Sequence, residues 1–145
     1  RLLFFAESPQ TPWPANPAEY TAFSVKYATK KALDLTTAKY HADKAKWTHV
    51  TEYDHCQALA ETARRAKIEI IRYASVRDPN QGMNLALLTC RAFAKPRPID
   101  QQTWRIHLSA AGVQAVCEAP KSGITFDRTA FGTDPRIRTL RWDRS

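Results

Sequence analysis

Tyr73, Ser75 and Arg77 stand at alternate positions where an apolar run, Ile68-Glu69-Ile70-Ile71-Arg72, comes to its end. In an extended chain alternate residues project to the same face. A ring, a hydroxyl and a guanidinium would then share one side with Glu69 and Ile71, Arg77 joining them if the strand persists that far. Tyr73 can stack on a planar ring, Ser75 can donate or accept a hydrogen bond, and Arg77 can hold a phosphate. A purely structural reading meets the same pattern. In it Ser75 caps a turn, Arg77 pairs with Asp78 or a helix carboxylate, and Tyr73 belongs to the core. The pattern alone leaves both open.

Other chemistries lack their residues. The chain has four glycines, Gly82, Gly112, Gly123 and Gly132, so neither GxGxxG nor GxxxxGK[ST] can be written. Ser75 lies in Ala-Ser-Val and not in GxSxG, which removes a nucleophile elbow. There is no HExxH and no paired carboxylate. His55 adjoins Cys56, but neighbours on a helix point about 100° apart and do not face each other. His41, His49, His55 and His107 have no metal-ligand spacing, and Cys56, Cys90 and Cys117 contain no CxxC. No metal is expected, and an odd number of widely spaced cysteines fits a reduced, cytoplasmic protein.

A chain of 145 residues is expected to form one domain. It can bury roughly 70% of the surface it exposes unfolded, enough for a core without disulfides or metal. Its apolar and charged fractions, 43% and 25%, are those of an ordinary globular protein. No apolar run approaches the roughly 20 residues that span a bilayer, and Leu2-Leu3-Phe4-Phe5-Ala6 is too short for a secretory core. The formal net charge of +8 is spread from Lys26 to Arg144, as on a solvated basic surface. It also admits a second class of function, a basic nucleic-acid-binding module with Trp13, Trp47, Trp104 and Trp142 available for stacking. The chain opens on Arg1 inside an apolar pattern, and we expect upstream sequence belonging to the same fold.

The elements that must position these residues follow from spacing. Residues 8–17 hold four of the nine prolines and form an extended loop. Residues 19–27 alternate as a strand, with Thr21, Phe23, Val25 and Tyr27 on one face, and residues 31–36 form a short second strand. Residues 37–50 read as loop with a short helix. Residues 51–66 are a helix, with Thr51 as N-cap and an apolar stripe of Tyr53, Cys56, Leu59, Ala60 and Ala63. Residues 68–74 and 84–89 are strands joined by the turn Asp78–Gly82, where Gly82 supplies the positive φ. Residues 102–108, 112–119, 123–126 and 137–142 read as further short strands. The fold class is α+β, mixed or antiparallel sheets with few helices.

The run from Cys56 to Leu88 resembles the C-terminal half of a RES domain. It has the Cys-Gln-x-Leu-Ala helix start, Tyr-x-Ser-x-Arg at a strand end, and Gly-x-Asn-Leu-Ala-Leu. Thr21–Val25, Ala32–Thr36 and Gln102–Trp104 resemble other parts of the family. The resemblance covers residues 1 to about 110 and implies an ADP-ribosyltransferase-like fold whose N-terminal part lies upstream. It implies a toxin of a bacterial toxin–antitoxin pair that consumes NAD+ by phosphorolysis, hydrolysis or ADP-ribosyl transfer. Ser75 carries over as the catalytic serine, with Tyr73, Arg77 and Asn84 as NAD+-binding residues. The implied partner is an antitoxin, with no membrane, and nucleic acid only through the antitoxin. The family's Arg and Glu have no match here. Glu7 and Glu19 are the nearest acids and lack the helical setting, so an inactive remnant that only binds a partner is a third reading.

Overall fold

The computed structural model describes Leu3, residues 11–78 and residues 80–144. Strands β1 (Ala18–Ser24) and β2 (Ala32–Asp34) come first, then helices α1 (Lys44–Trp47) and α2 (Asp54–Arg65). Strands β3 (Ile70–Ala74), β4 (Met83–Leu87), β5 (Asp100–Ser109), β6 (Gly112–Cys117) and β7 (Ser122–Asp127) follow. Short 3₁₀ turns lie at Ala38–Asp43, Cys90–Ala92 and Arg128–Phe131. Few helices and two sheets make this an α+β fold. The Pro-rich loop expected over residues 8–17 falls partly outside the described residues.

The chain divides into two compact units, one formed by Arg1–Ser24 with Ile99–Ser145 and the other by Val25–Pro98. The first holds a four-stranded antiparallel sheet in the order β1-β5-β6-β7. Alternation along β5 sends Leu108 to a buried face, where it packs with Leu3 and Ile137 beneath Trp13, Phe131, Leu140 and Trp142. The strand expected over residues 137–142 is absent. Instead the backbone N–H groups of Ile137 and Arg138 donate to the Asp134 carbonyl, and Leu140 N–H donates to the Ile137 carbonyl. The buried Asp134 carboxylate accepts from the Arg136 backbone and guanidinium. Apolar residues at Ile137, Leu140 and Trp142 suggest a strand, but the chain makes hydrogen-bonded coil there.

The second unit carries the sheet β2-β3-β4, with β2 parallel to β3 and β3 antiparallel to β4. Ile70 and Ile71 are buried on its two faces, at 2% and 5% exposure. Each contributes about 1.5–3 kcal/mol by leaving water. On one face the Asp34 carboxylate accepts from Arg72 at 2.9 Å. Hydrogen bonds from the Thr36 hydroxyl and backbone N–H, more than the arginine, hold its carboxyl below the usual range. On the other face lie Ile71 and Tyr73, the pattern expected from alternation. The first predicted strand is shorter than its sequence pattern. It ends at Ser24, and Tyr27 makes only a bridge to Phe93.

Helix α2 begins at Asp54, with Tyr53 rather than Thr51 at the N-cap and no side-chain cap. Its C-terminus closes with Ile68 N–H on the Ala63 carbonyl and Lys67 N–H on the Arg64 carbonyl, the paired bonds of a Schellman ending. Lys67 therefore sits at φ 56°, where an L side chain costs about 1–2 kcal/mol that glycine avoids. We expect Lys67→Gly to stabilise the chain by about 1 kcal/mol. A higher urea midpoint at unchanged slope is the check, and an unchanged or lower midpoint would contradict the strain.

Candidate functional site

Strand β3 delivers its residues to the site by pairing. Tyr73 faces Asn84 across the β3–β4 ladder, and Ile71 faces Ala86. The strand ends at Ala74, but the Ser75 N–H still donates to the Gly82 carbonyl at 2.7 Å. That bond keeps Ser75 in register with Tyr73. Beyond it the chain turns, closed by the Asp78 carboxylate, which accepts from Asn80 N–H at 2.9 Å and Gly82 N–H at 3.0 Å. The positive φ falls on Gln81 at 52° and not on Gly82. Gly82 leaves room for the Asp78 carboxylate, which a Cβ there would meet at 2.5 Å.

Residues of α1, α2 and the loop between them line, with this face, a half-open cavity of about 450 Å³. Tyr73, Ser75, Arg77 and Asn84 all line it, so the four residues singled out from the sequence meet in one place. Leu35, Leu59, Ile71, Val76 and Ala86 supply apolar wall, while Trp47, His49, Tyr53 and Cys56 close the helical side. Among the described residues, the hydroxyls of Tyr73 and Ser75 and the side-chain amide of Asn84 have no hydrogen-bond partner. An apolar pocket with a few convergent polar groups is the usual make-up of a small-molecule site. No Asp or Glu is among the residues lining it.

The structural alternative is met only in part. Ser75 does not cap the turn with its hydroxyl; Asp78 does that work. Arg77 is held by α2's approach: its Nη2 donates to the Val50 carbonyl at 2.8 Å and to the Tyr53 hydroxyl at 2.9 Å. The Tyr53 hydroxyl in turn donates to the Val50 carbonyl at 2.9 Å. Tyr53, Val50 and His49 were not foreseen as site neighbours, because nothing in the sequence links them to a residue 24 or more positions away.

Cys56 lies in the cavity wall with its thiol near the Lys46 and Trp47 carbonyls. Burial pushes its pKa up, which keeps it a thiol and a poor nucleophile. Glu19 lies on β1, with its carboxylate 3.8 Å from Arg105 Nε, and Glu7 lies outside the described residues. Among the described residues no group of three His, Cys, Asp or Glu side chains is placed to hold a metal, and no helix is long and apolar enough to cross a membrane. Trp13 and Trp142 stack on each other at 5.5 Å, Trp104 donates to Gln102, and Trp47 lines the cavity.

Adjoining the first cavity is a second, of about 240 Å³, which shares Leu35, Trp47 and Tyr73 with it. Lys44, His41 and Gln81 are among its walls. Compared with known protein families, residues 1–109 match the RES domain. The match ends on the last residue of β5, so β6 and β7 lie beyond it. No curated protein matches the chain.

Proposed function

The chain belongs to the RES domain family, and from that premise we propose that it is an NAD+-degrading toxin of a toxin–antitoxin pair. The observation that carries the reading is the cavity itself. Tyr73, Ser75 and Asn84, whose polar groups have no hydrogen-bond partner among the described residues, converge there with Arg77 on an apolar wall in which no Asp or Glu is found. Such a site suits an aromatic ring attached to a sugar and an anionic tail. Tyr73 stacks on the ring. The Ser75 hydroxyl and the Asn84 amide hydrogen-bond the ribose or carboxamide, and Arg77 lies where a phosphate would be drawn.

Breaking the nicotinamide–ribose bond builds oxocarbenium-like positive charge on the ribose. A carboxylate near the sugar lowers that barrier most, and Ser75 contributes orientation. The Arg and Glu that the resemblance implies are matched by no residue of this chain. Turnover is therefore expected from the full-length gene product, and weak turnover from residues 1–145. The fold would be of the ADP-ribosyltransferase kind, and the compartment the cytoplasm, where NAD+ is held. An antitoxin with an acidic segment would neutralise the basic protein.

Nicotinamide release from NAD+, with and without phosphate, tests the proposal on the chain and the full-length product side by side. We expect release by the full-length product, and phosphate dependence would separate phosphorolysis from hydrolysis. Release by neither would overturn the reading.

A further inference from the structure

The spacing of His49 fits no metal site. The geometry gives it a different role. Its Nδ1 lies 2.8 Å from the Glu52 backbone nitrogen and 3.4 Å from that of Thr51. Both partners are N–H donors, so Nδ1 is the acceptor in these contacts. The imidazole thus folds back on its own loop as an Asn or Asp side chain does in an Asx turn. It ties the loop just ahead of the helix, whose N-cap Tyr53 has no side-chain cap.

The loop it closes, residues 49–53, is the one that meets Arg77. Val50 offers its carbonyl and Tyr53 its hydroxyl to the same Nη2, at 2.8 and 2.9 Å. His49 and Arg77 both line the Ser75 cavity. We propose that His49 is a positioning residue of this site: its imidazole sets the 49–53 loop, and the loop sets the Arg77 guanidinium against the bound anion. The proposal rests on the NAD+ reading for its kinetic consequence, but not for the loop.

The test uses His49→Ala and His49→Asn in the full-length product, the second keeping a short side-chain acceptor. We expect His49→Ala to raise KM for NAD+ at least about fivefold with kcat within about twofold, and His49→Asn to restore most of the loss. Amide exchange at Glu52 should quicken in His49→Ala at least about tenfold and slow again in His49→Asn. Equal impairment of both variants, or an unchanged KM in His49→Ala, would overturn the proposal. If the wild type releases no nicotinamide, the NAD+ reading fails by itself. Amide exchange then decides alone, and unchanged exchange at Glu52 in His49→Ala overturns the positioning role.

Discussion

Alanine at position 75 is expected to lower kcat/KM for NAD+ in the full-length product at least about tenfold, which is about 1.4 kcal/mol of transition-state stabilisation. The thermal unfolding midpoint should hardly move. The two halves of this expectation have separate causes. The fold uses the Ser75 backbone, whose N–H donates to the Gly82 carbonyl, and alanine keeps that bond. The hydroxyl has no partner among the described residues, so removing it strands no buried donor or acceptor, the usual source of a large penalty. A single hydrogen bond that fixes the sugar at the reacting angle is worth a tenfold or greater effect. Steady-state kinetics and a melting curve on the same preparation check both halves. Unchanged turnover would return Ser75 to the role of a polar strand end. A large drop in stability would show that the hydroxyl has a structural partner after all.

Where the side chain's direction is set by strand period, the site was legible. Tyr73 and Ser75 share a face because β3 is extended, and Asn84 joins them because a short turn puts β4 in register with Tyr73. A period of two is a local property, readable from neighbours alone. The helical wall was not legible. His49 and Tyr53 reach Arg77 across more than 20 residues. Thr51 has the residue type of an N-cap, but the N-cap lies two residues later at Tyr53, and an imidazole's bond to its own loop leaves no spacing signature. The same limit explains the turn. Gly82 was credited with the positive φ, whereas Gln81 carries it and Gly82 makes room for a carboxylate. It explains residues 137–142 too. There Asp134 organises a coil through hydrogen bonds that composition does not announce. The likeness of residues 1 to about 110 to the RES domain was legible because it rests on residue identities, and the family match over residues 1–109 carries it.

Gly112→Ala should cost the chain about 3 kcal/mol or more, from an unfavourable backbone angle and a clash that no rotamer relieves. Strands β5 and β6 are joined by Ala110 and Ala111 alone, with Ser109 paired to Gly112. Tight hairpins of this length need positive φ in or beside the loop. Neither alanine has it; Gly112 does, at φ 137°, a region open essentially to glycine. A Cβ there would stand 2.1 Å from the Phe126 carbonyl oxygen and 2.9 Å from Arg128 N. Both are backbone atoms of the segment that β6 pairs with, since Gly112 lies opposite Asp127. The clash can be relieved only by opening the β6–β7 ladder. Gly123 supplies the control, because a Cβ there meets its nearest neighbour at 3.9 Å, ordinary contact. Gly123→Ala should therefore change stability by under about 1 kcal/mol. Urea unfolding of the two variants beside the wild type measures this, and a loss below about 1 kcal/mol in Gly112→Ala would refute the strain. Strands β6 and β7 also lie beyond the family-matched residues. If they only support β5, Gly112→Ala will lower the folded fraction while each folded molecule keeps its turnover.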